Sequence, residues 1–357
     1  MLIVEHEDKA GGNLQTDGHS RTEGRTRLPE IVWFRAVAII LIVAGHSYRP
    51  GGVHLGNHVD FAISDLVKGA TAFFVFISGF VFDHVFGSRY RYWTFLRDRL
   101  WKLLVPYCLL TLLAGVMFSN WAAKGVSIDD IFRAFILGDT FQAYWYIPFI
   151  LLMFALAPLH RLFMRLSWTQ QIAVIVLGFI VGGLVQRPVG NDNALQSVVF
   201  YLPLYLSGLF LSRHRTALLP RLKRGWPVLV LAAVAIAGFQ AATGQSDNLH
   251  KPLFTLDKFE LMGLQKLALS FGLIGVFATF SSPPRWTVRI IADTSFAIFF
   301  LHPFALVLLR DSTIFQLTQL PWIDLAIATA AIVTLCAAIA LALRTLLRSG
   351  SKYLIGY

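Results

Sequence analysis

The feature that most constrains this chain is a succession of long apolar runs, each about 17–25 residues, separated by short polar connections. At about 1.5 Å per residue such a run crosses about 30 Å of hydrocarbon, so each reads as a transmembrane helix. Ten are drawn, over residues 28–48, 61–86, 100–120, 144–164, 169–186, 196–212, 225–243, 259–282, 291–310 and 323–347. Lipid offers a backbone no hydrogen bonds, so helices of this length predict an all-α polytopic membrane protein. Composition points the same way. The 357 residues are 56% hydrophobic and 14% charged, whereas a soluble domain is about 25% charged. Too few charges remain to coat a water-soluble surface, which excludes a soluble enzyme.

Residues 1–27 differ from the rest: they are polar and lack the apolar core of a cleavable signal peptide. They read as a disordered cytoplasmic tail, and residues 28–357 as one transmembrane domain. The distribution of cations sets the topology, because Lys and Arg are retained on the cytoplasmic side of short loops. With the N-terminus inside, 20 of the 31 Lys and Arg fall in cytoplasmic segments and 7 in outer loops. The alternation holds at every turn, which predicts ten helices with both termini cytoplasmic. The net charge of +11 is thereby topological and calls for no nucleic acid. Cys108 and Cys336 both lie inside apolar runs, so no disulfide framework or cysteine-rich metal site follows.

An ionisable group at bilayer depth costs at least about 2.5–3.5 kcal/mol, so each one needs a partner, a water-filled cavity or a function. The first span carries Arg35 near its inner end and His46 near its outer end. Eleven residues at about 100° make three turns plus about 20°, placing both on one helix face, roughly 16 Å apart along the axis. They either line one tunnel, or Arg35 snorkels to the headgroups and His46 is an interfacial histidine.

The spacing Arg35, ten residues, His46 resembles the signature of the acyltransferase-3 family of integral membrane O-acyltransferases, which modify surface and secreted carbohydrates. Three further segments follow in the family's order. Phe73-Phe74-Val-Phe-Ile-Ser78-Gly79-Phe80 is similar to its Phe-Phe-x-x-Ser-Gly-Phe segment. Arg97-Asp-Arg99-Leu-Trp-Lys102 is similar to its basic inner loop, and Ser295 through His302-Pro303 to its late Ser-to-His helix. The chain departs from the pattern at Lys102, where an arginine is usual, and in the Phe that stands where a Tyr is common before His302.

The resemblance implies transfer of an acyl group other than amino-acyl, by family frequency acetyl, from cytoplasmic acyl-CoA to a hydroxyl of a surface polysaccharide or lipid-linked sugar. A hydroxyl is a poor nucleophile at neutral pH, and a neutral histidine can accept its proton. His46 is therefore the expected general base, with Arg35 on the donor's path. Arg97, Arg99 and Lys102 are expected to hold the polyanionic nucleotide of CoA, unless they only signal topology. Ser78 permits close approach of the donor or of a neighbouring helix.

Asp65 is the expected partner of His46, with a pair to Lys68 as the alternative. Trp145 and Tyr146 either stack on a sugar or belong to an aromatic belt. Glu260 either contacts the acceptor or pairs with Lys266, and His302 either lines the cavity or bonds a carbonyl freed by Pro303. No metal is expected. The expected partners are acyl-CoA, a glycan or lipid-linked sugar and the lipid bilayer, and the expected location is the bacterial inner membrane. The competing class is a multi-helix transporter or flippase.

Overall fold

In the computed structural model the described residues are 28–48, 57–87, 90–118, 127–191, 193–245, 250, 252, 259–280, 282–310, 312–318, 320–347 and 350–354. The tail 1–27 lies outside them. The fold is an all-α membrane bundle. Among the described residues nine spans are long and apolar enough to cross a membrane, and a bent helix pair makes a tenth. The helices are α1 (Pro29–Ser47), α2 (His58–Val67), α3 (Thr71–Phe86), α4 (Tyr92–Met117), α5 (Ile128–Leu137), α6 (Tyr146–Ala155), α7 (Ala157–Phe163), α8 (Trp168–Val185), α9 (Ala194–Arg213), α10 (Arg215–Ala242), α11 (Met262–Thr279), α12 (Trp286–Leu309), α13 (Pro321–Leu347) and α14 (Ser351–Leu354).

Local signals start several of them. Ser127 and Ser167 cap α5 and α8, each in a reciprocal box with the residue three on, Asp130 and Gln170. These satisfy backbone N–H groups that a helix start leaves without partners. Two expected spans differ in detail. The second is broken into α2 and α3 around Gly69, which adopts φ 71°. The fourth is α6 plus α7, bent by 59°. Breaks at membrane depth are tolerated where protein re-satisfies the freed backbone. At the first break Lys266 does so, its Nζ donating to the carbonyls of Asp65 at 2.7 Å and Leu66 at 2.9 Å. A cation on the last carbonyls of α2 also complements that helix's dipole.

Burial sorts the helices into a centre and a periphery. Nearly four-fifths of the apolar window of α9 is buried, against about a fifth for α8 and α10. The outer helices turn Ile172, Val176, Leu177, Val228 and Leu231 outward, a surface that water would penalise and lipid does not. At the centre α3 and α9 meet backbone to backbone. A Cβ on Gly79 would stand 2.0 Å from the Tyr205 carbonyl, and one on Gly208 1.9 Å from that of Phe76. Small residues at such a crossing let dispersion hold two helices that lipid would otherwise solvate equally well.

Contacts between loops follow the alternation read from charge. Arg215 Nε donates to Glu30 Oε1 at 3.0 Å and Arg161 donates to the Gly87 carbonyl, both joining segments assigned to the inner face. Trp322 Nε1 donates to Asp60 Oδ1 at 3.0 Å, and His58 bonds the Ala241 carbonyl at 2.9 Å, both on the opposite face.

Candidate active site

The site grows from the packing of α1 on α12, two helices that run in the same direction. Arg35 and His46 share a face of α1. On α12, Ser295 and His302 are seven residues apart, about two turns, and likewise share a face. The two faces meet. Arg35 donates from a terminal guanidinium nitrogen to Ser295 Oγ at 3.1 Å. His46 and His302 stand ring against ring, centroids 5.2 Å apart. His302 Nδ1 lies 3.1 Å from the Ile298 carbonyl. A carbonyl only accepts, so Nδ1 carries the proton in that bond. A neutral His302 then presents its lone pair at Nε2. That buried Nε2 has no hydrogen-bond partner among the described residues.

Below the histidines, toward the face assigned inside, lies a cavity of about 100 Å³. Its walls are aromatic, with Phe74, Phe82, Phe86, Phe95 and Phe154 among them, and its polar groups are Arg35, Ser78, Arg99, Tyr146 and Ser295. Two guanidiniums therefore face one apolar chamber from different helices. Arg99 is buried and held over the rings of Phe86 at 4.8 Å and Phe95 at 5.8 Å, an arrangement in which aromatic faces offset part of the cost of desolvating the cation. Arg97 is exposed, since two residues along α4 turn it about 200° from Arg99. Lys102 is half-buried and about 60° from Arg99 around the helix. The three cations do not form one cluster. Ser78 Oγ donates to the Phe74 carbonyl at 2.7 Å, and the Tyr146 hydroxyl is within hydrogen-bonding reach of Ser78.

A family model described as an acyltransferase domain, acyltransferase-3, matches residues 28–341. That is nearly the whole described bundle, including both helices of the Arg35–Ser295 and His46–His302 pairs. The chain belongs to the acyltransferase-3 family. Neither a search of curated proteins nor one of solved structures returns a match.

In this membrane acyltransferase the aromatic triplet leading into α6 is core and not a surface belt. Tyr144, Trp145 and Tyr146 are 0%, 7% and 4% exposed. The segment dips into the bundle far enough for the Tyr144 hydroxyl to donate to the Phe300 carbonyl in mid-α12, at 3.0 Å. Tyr146 packs on Phe299, which in turn touches His302. Trp145 stacks on Tyr201 at 5.7 Å, with the Arg187 guanidinium 5.4 Å from the indole and 5.9 Å from the phenol ring.

The other sequence candidates take separate places. Asp65 is buried on α2 within electrostatic reach of Lys266, and the imidazole beside His46 is that of His302. Lys68 lies over the Tyr48 ring at 5.1 Å. Glu260 Oε1 accepts from the Met262 N–H at 2.8 Å, the first backbone donor of α11, with Gln240 Nε2 at 3.5 Å. Among the described residues no group of three or more His, Cys, Asp or Glu is placed to hold a metal.

Two residues with no site role in the sequence stand beside the candidates. Ser295 is named in the sequence only as the first residue of the Ser-to-His segment, because nothing local shows that it faces Arg35. Arg187 reads as an ordinary outer-loop cation, yet it is 6% exposed and within electrostatic reach of His46. It is delivered by Gln186, which has φ 59° and is the one described non-glycine residue in the left-handed region. Such a conformation costs of order 1–3 kcal/mol and has no sequence signature.

Proposed function

We propose that this acyltransferase moves an acyl group, acetyl by the family's frequency, from acyl-CoA on the inner face to a hydroxyl of a glycan or lipid-linked sugar on the outer face of a bacterial inner membrane, with His46 as general base. The observation that carries the reading is the pairing along α1 and α12: a guanidinium–serine contact beside the aromatic cavity at one level, and two imidazoles in contact above it.

The chemistry follows from those groups. The nucleotide of CoA is polyanionic and stays at the inner face, with Arg97 and Lys102 nearest water and Arg99 deeper. The apolar cavity suits the pantetheine arm, and Arg35 is placed to meet polar atoms on its way to the histidines. His46 accepts the proton of the acceptor hydroxyl as its oxygen attacks the thioester carbonyl. The tetrahedral intermediate collapses with cleavage of the C–S bond. The leaving thiolate takes a proton from the His46 imidazolium, so the catalyst is regenerated and no oxidant or metal enters the balance. His302, fixed in ring orientation by the Ile298 carbonyl, holds the His46 ring in place across their contact.

The test uses the full chain in detergent or proteoliposomes with radiolabelled acetyl-CoA and sugar acceptors. Thiol release with transfer of label, abolished in His46→Ala, is the expected result. An intact thioester under all conditions, with an unmodified solute moving across the vesicle, would overturn it in favour of transport.

A further inference from the structure

Residues 128–137 fall in the connection between the third and fourth apolar runs, where a loop in outer water is the simple expectation. A helix, α5, stands there instead, and its surroundings lie deep in the bundle. Tyr107 is ten residues before Met117, the outer end of α4, and so about 15 Å below it. Its hydroxyl donates to the Phe135 carbonyl at 2.7 Å, and its ring packs on that of Phe135 with centroids 5.9 Å apart. The turn after α5, at Gly138 with φ 68°, is pressed on the backbone of Tyr144 and Trp145. Tyr144 is tied in turn to Phe300, nine residues or about 14 Å below the outer end of α12. The C-terminal end of α5 is therefore near the middle of the bilayer. Ten residues rise about 15 Å, half of about 30 Å of hydrocarbon, which returns Ser127 and the acidic first turn to the outer headgroups.

Around its axis α5 has three faces. Ala134 and Phe135 pack on the bundle. Ile128, Phe132 and Ile136, spaced by four and so within about 80° of one another, are 69%, 59% and 67% exposed. Arg133 and Leu137, about 60–100° further round, line a second cavity of about 180 Å³ together with Asp139 and Gln142 from the turn that follows.

Each exposed face calls for a different neighbour. An apolar stripe at bilayer depth is stable among acyl chains and costly in water. It continues the outward face of α4, where Leu109, Leu112, Leu113, Val116 and Met117 are exposed as well. Three side chains make a narrow strip beside the about 800 Å² per partner of a stable protein interface, which favours lipid over a second copy of the chain. The cavity face is the reverse. Arg133 and Asp139 at this depth would be costly in hydrocarbon, and the non-helical backbone that follows Leu137 is tolerated only against protein or water. Outer water in the cavity meets both needs, since the space is polar and large enough to hold it.

We infer that α5 is a half-membrane helix, with acyl chains of the outer leaflet along Ile128, Phe132 and Ile136 and, at its other edge, an inlet that carries outer water to the level of the bilayer midplane. The fourth crossing then begins at Ser127, and outer water ends at the buried segment 144–146.

The test uses the full chain carrying Cys108→Ala and Cys336→Ala in proteoliposomes, with one spin label at a time on Ile128→Cys, Phe132→Cys, Ile136→Cys, Asp129→Cys or Gln142→Cys. Oxygen, which partitions into lipid, and a nickel chelate, which stays in water, are compared as relaxing agents. The three apolar positions should be reached by oxygen and shielded from nickel, with Phe132→Cys about 6 Å and Ile136→Cys about 12 Å deeper than Ile128→Cys. Asp129→Cys and Gln142→Cys should be reached by nickel, the second in spite of its depth. Equal depth at the three apolar positions would lay the helix flat on the surface, and nickel access there would put it in water. Shielding from both agents would put a protein on the stripe, and a nickel-shielded Gln142→Cys would close the inlet; any of these four results overturns the inference. A second measurement needs only one replacement in the otherwise native chain, at positions exposed on the molecule. In right-side-out vesicles Gln142→Cys should react with an impermeant maleimide, and Phe132→Cys only after detergent is added. The opposite order also overturns it, and none of these readouts depends on turnover.

Discussion

Two cavities lie on either side of the buried aromatic segment 144–146, an inner one lined by Tyr146 and an outer one of about 180 Å³ lined by Trp145, and their walls differ in character. The inner one is walled by phenylalanines and carries two cations and no carboxylate, a surface for a long, partly apolar molecule with an anionic end. The outer one has a guanidinium, a carboxylate, an amide and a largely buried tryptophan. The contrast teaches that consecutive residues of one buried segment can serve cavities of opposite chemical character. One wall of buried aromatics separates the two cavities, and the His46–His302 pair lines neither.

Substitutions test that contrast by whether they move donor or acceptor parameters. The largest effect belongs to the histidine pair that lines neither cavity: His46→Ala should lower kcat by about 10²–10⁴, with either substrate saturating, the usual worth of a positioned base. A smaller loss, under about tenfold, would move the base to His302, whose own replacement by Gln should then become the more damaging change. Next comes Arg35→Gln, which removes the charged contact to Ser295. It should cut kcat/KM for acetyl-CoA by about tenfold to hundredfold while leaving acceptor KM within about threefold. An equal effect on both substrates would mean that the inner chamber is not the donor's alone.

Within the inner chamber the structure separates cations that the sequence groups together. Arg99→Gln should raise KM for acetyl-CoA by about tenfold, whereas Arg97→Gln, on the exposed side of α4, should change it by less than about twofold. Steady-state kinetics at low and at 0.5 M salt would check this, because the exposed contribution should vanish on screening, at a Debye length of about 4 Å. The smallest change is at the wall itself. Tyr146→Phe should cost about threefold to tenfold in kcat, the loss of one hydroxyl near Ser78, with the fold unchanged by circular dichroism.

The order and length of the membrane spans are legible in the sequence because hydropathy is a local property, and nine of the ten expected spans coincide with one transmembrane unit each. The break at Gly69 and the bend between α6 and α7 are not legible. Apolar residues run through both, and what stabilises the first is a lysine about 200 residues away, whose contact with the freed carbonyls of Asp65 and Leu66 has no echo in local composition. The same limit divides the site. That Arg35 and His46 share a face follows from 3.6 residues per turn, and the spacing itself carries the family resemblance. That Arg99 faces a cavity while Arg97 faces out follows from the same geometry once the buried side of α4 is known.

The sequence by itself determined that this chain is a helical membrane bundle, that one helix carries a cation and an imidazole in register, and that four short segments resemble one acyltransferase family. Tertiary packing chose the helix that meets that face, and so paired Ser295 with Arg35 and His302 with His46, buried Arg187 against Trp145, and folded the aromatic triplet inward between two cavities. The physical reason is that periodicity is written within a helix, whereas choice of partner is not. Lipid tails are as apolar as leucine, so hydrophobicity is indifferent to which helices pair. The choice falls to close backbone contacts such as Gly79 on Tyr205 and Gly208 on Phe76, and to a few polar groups that must find one another.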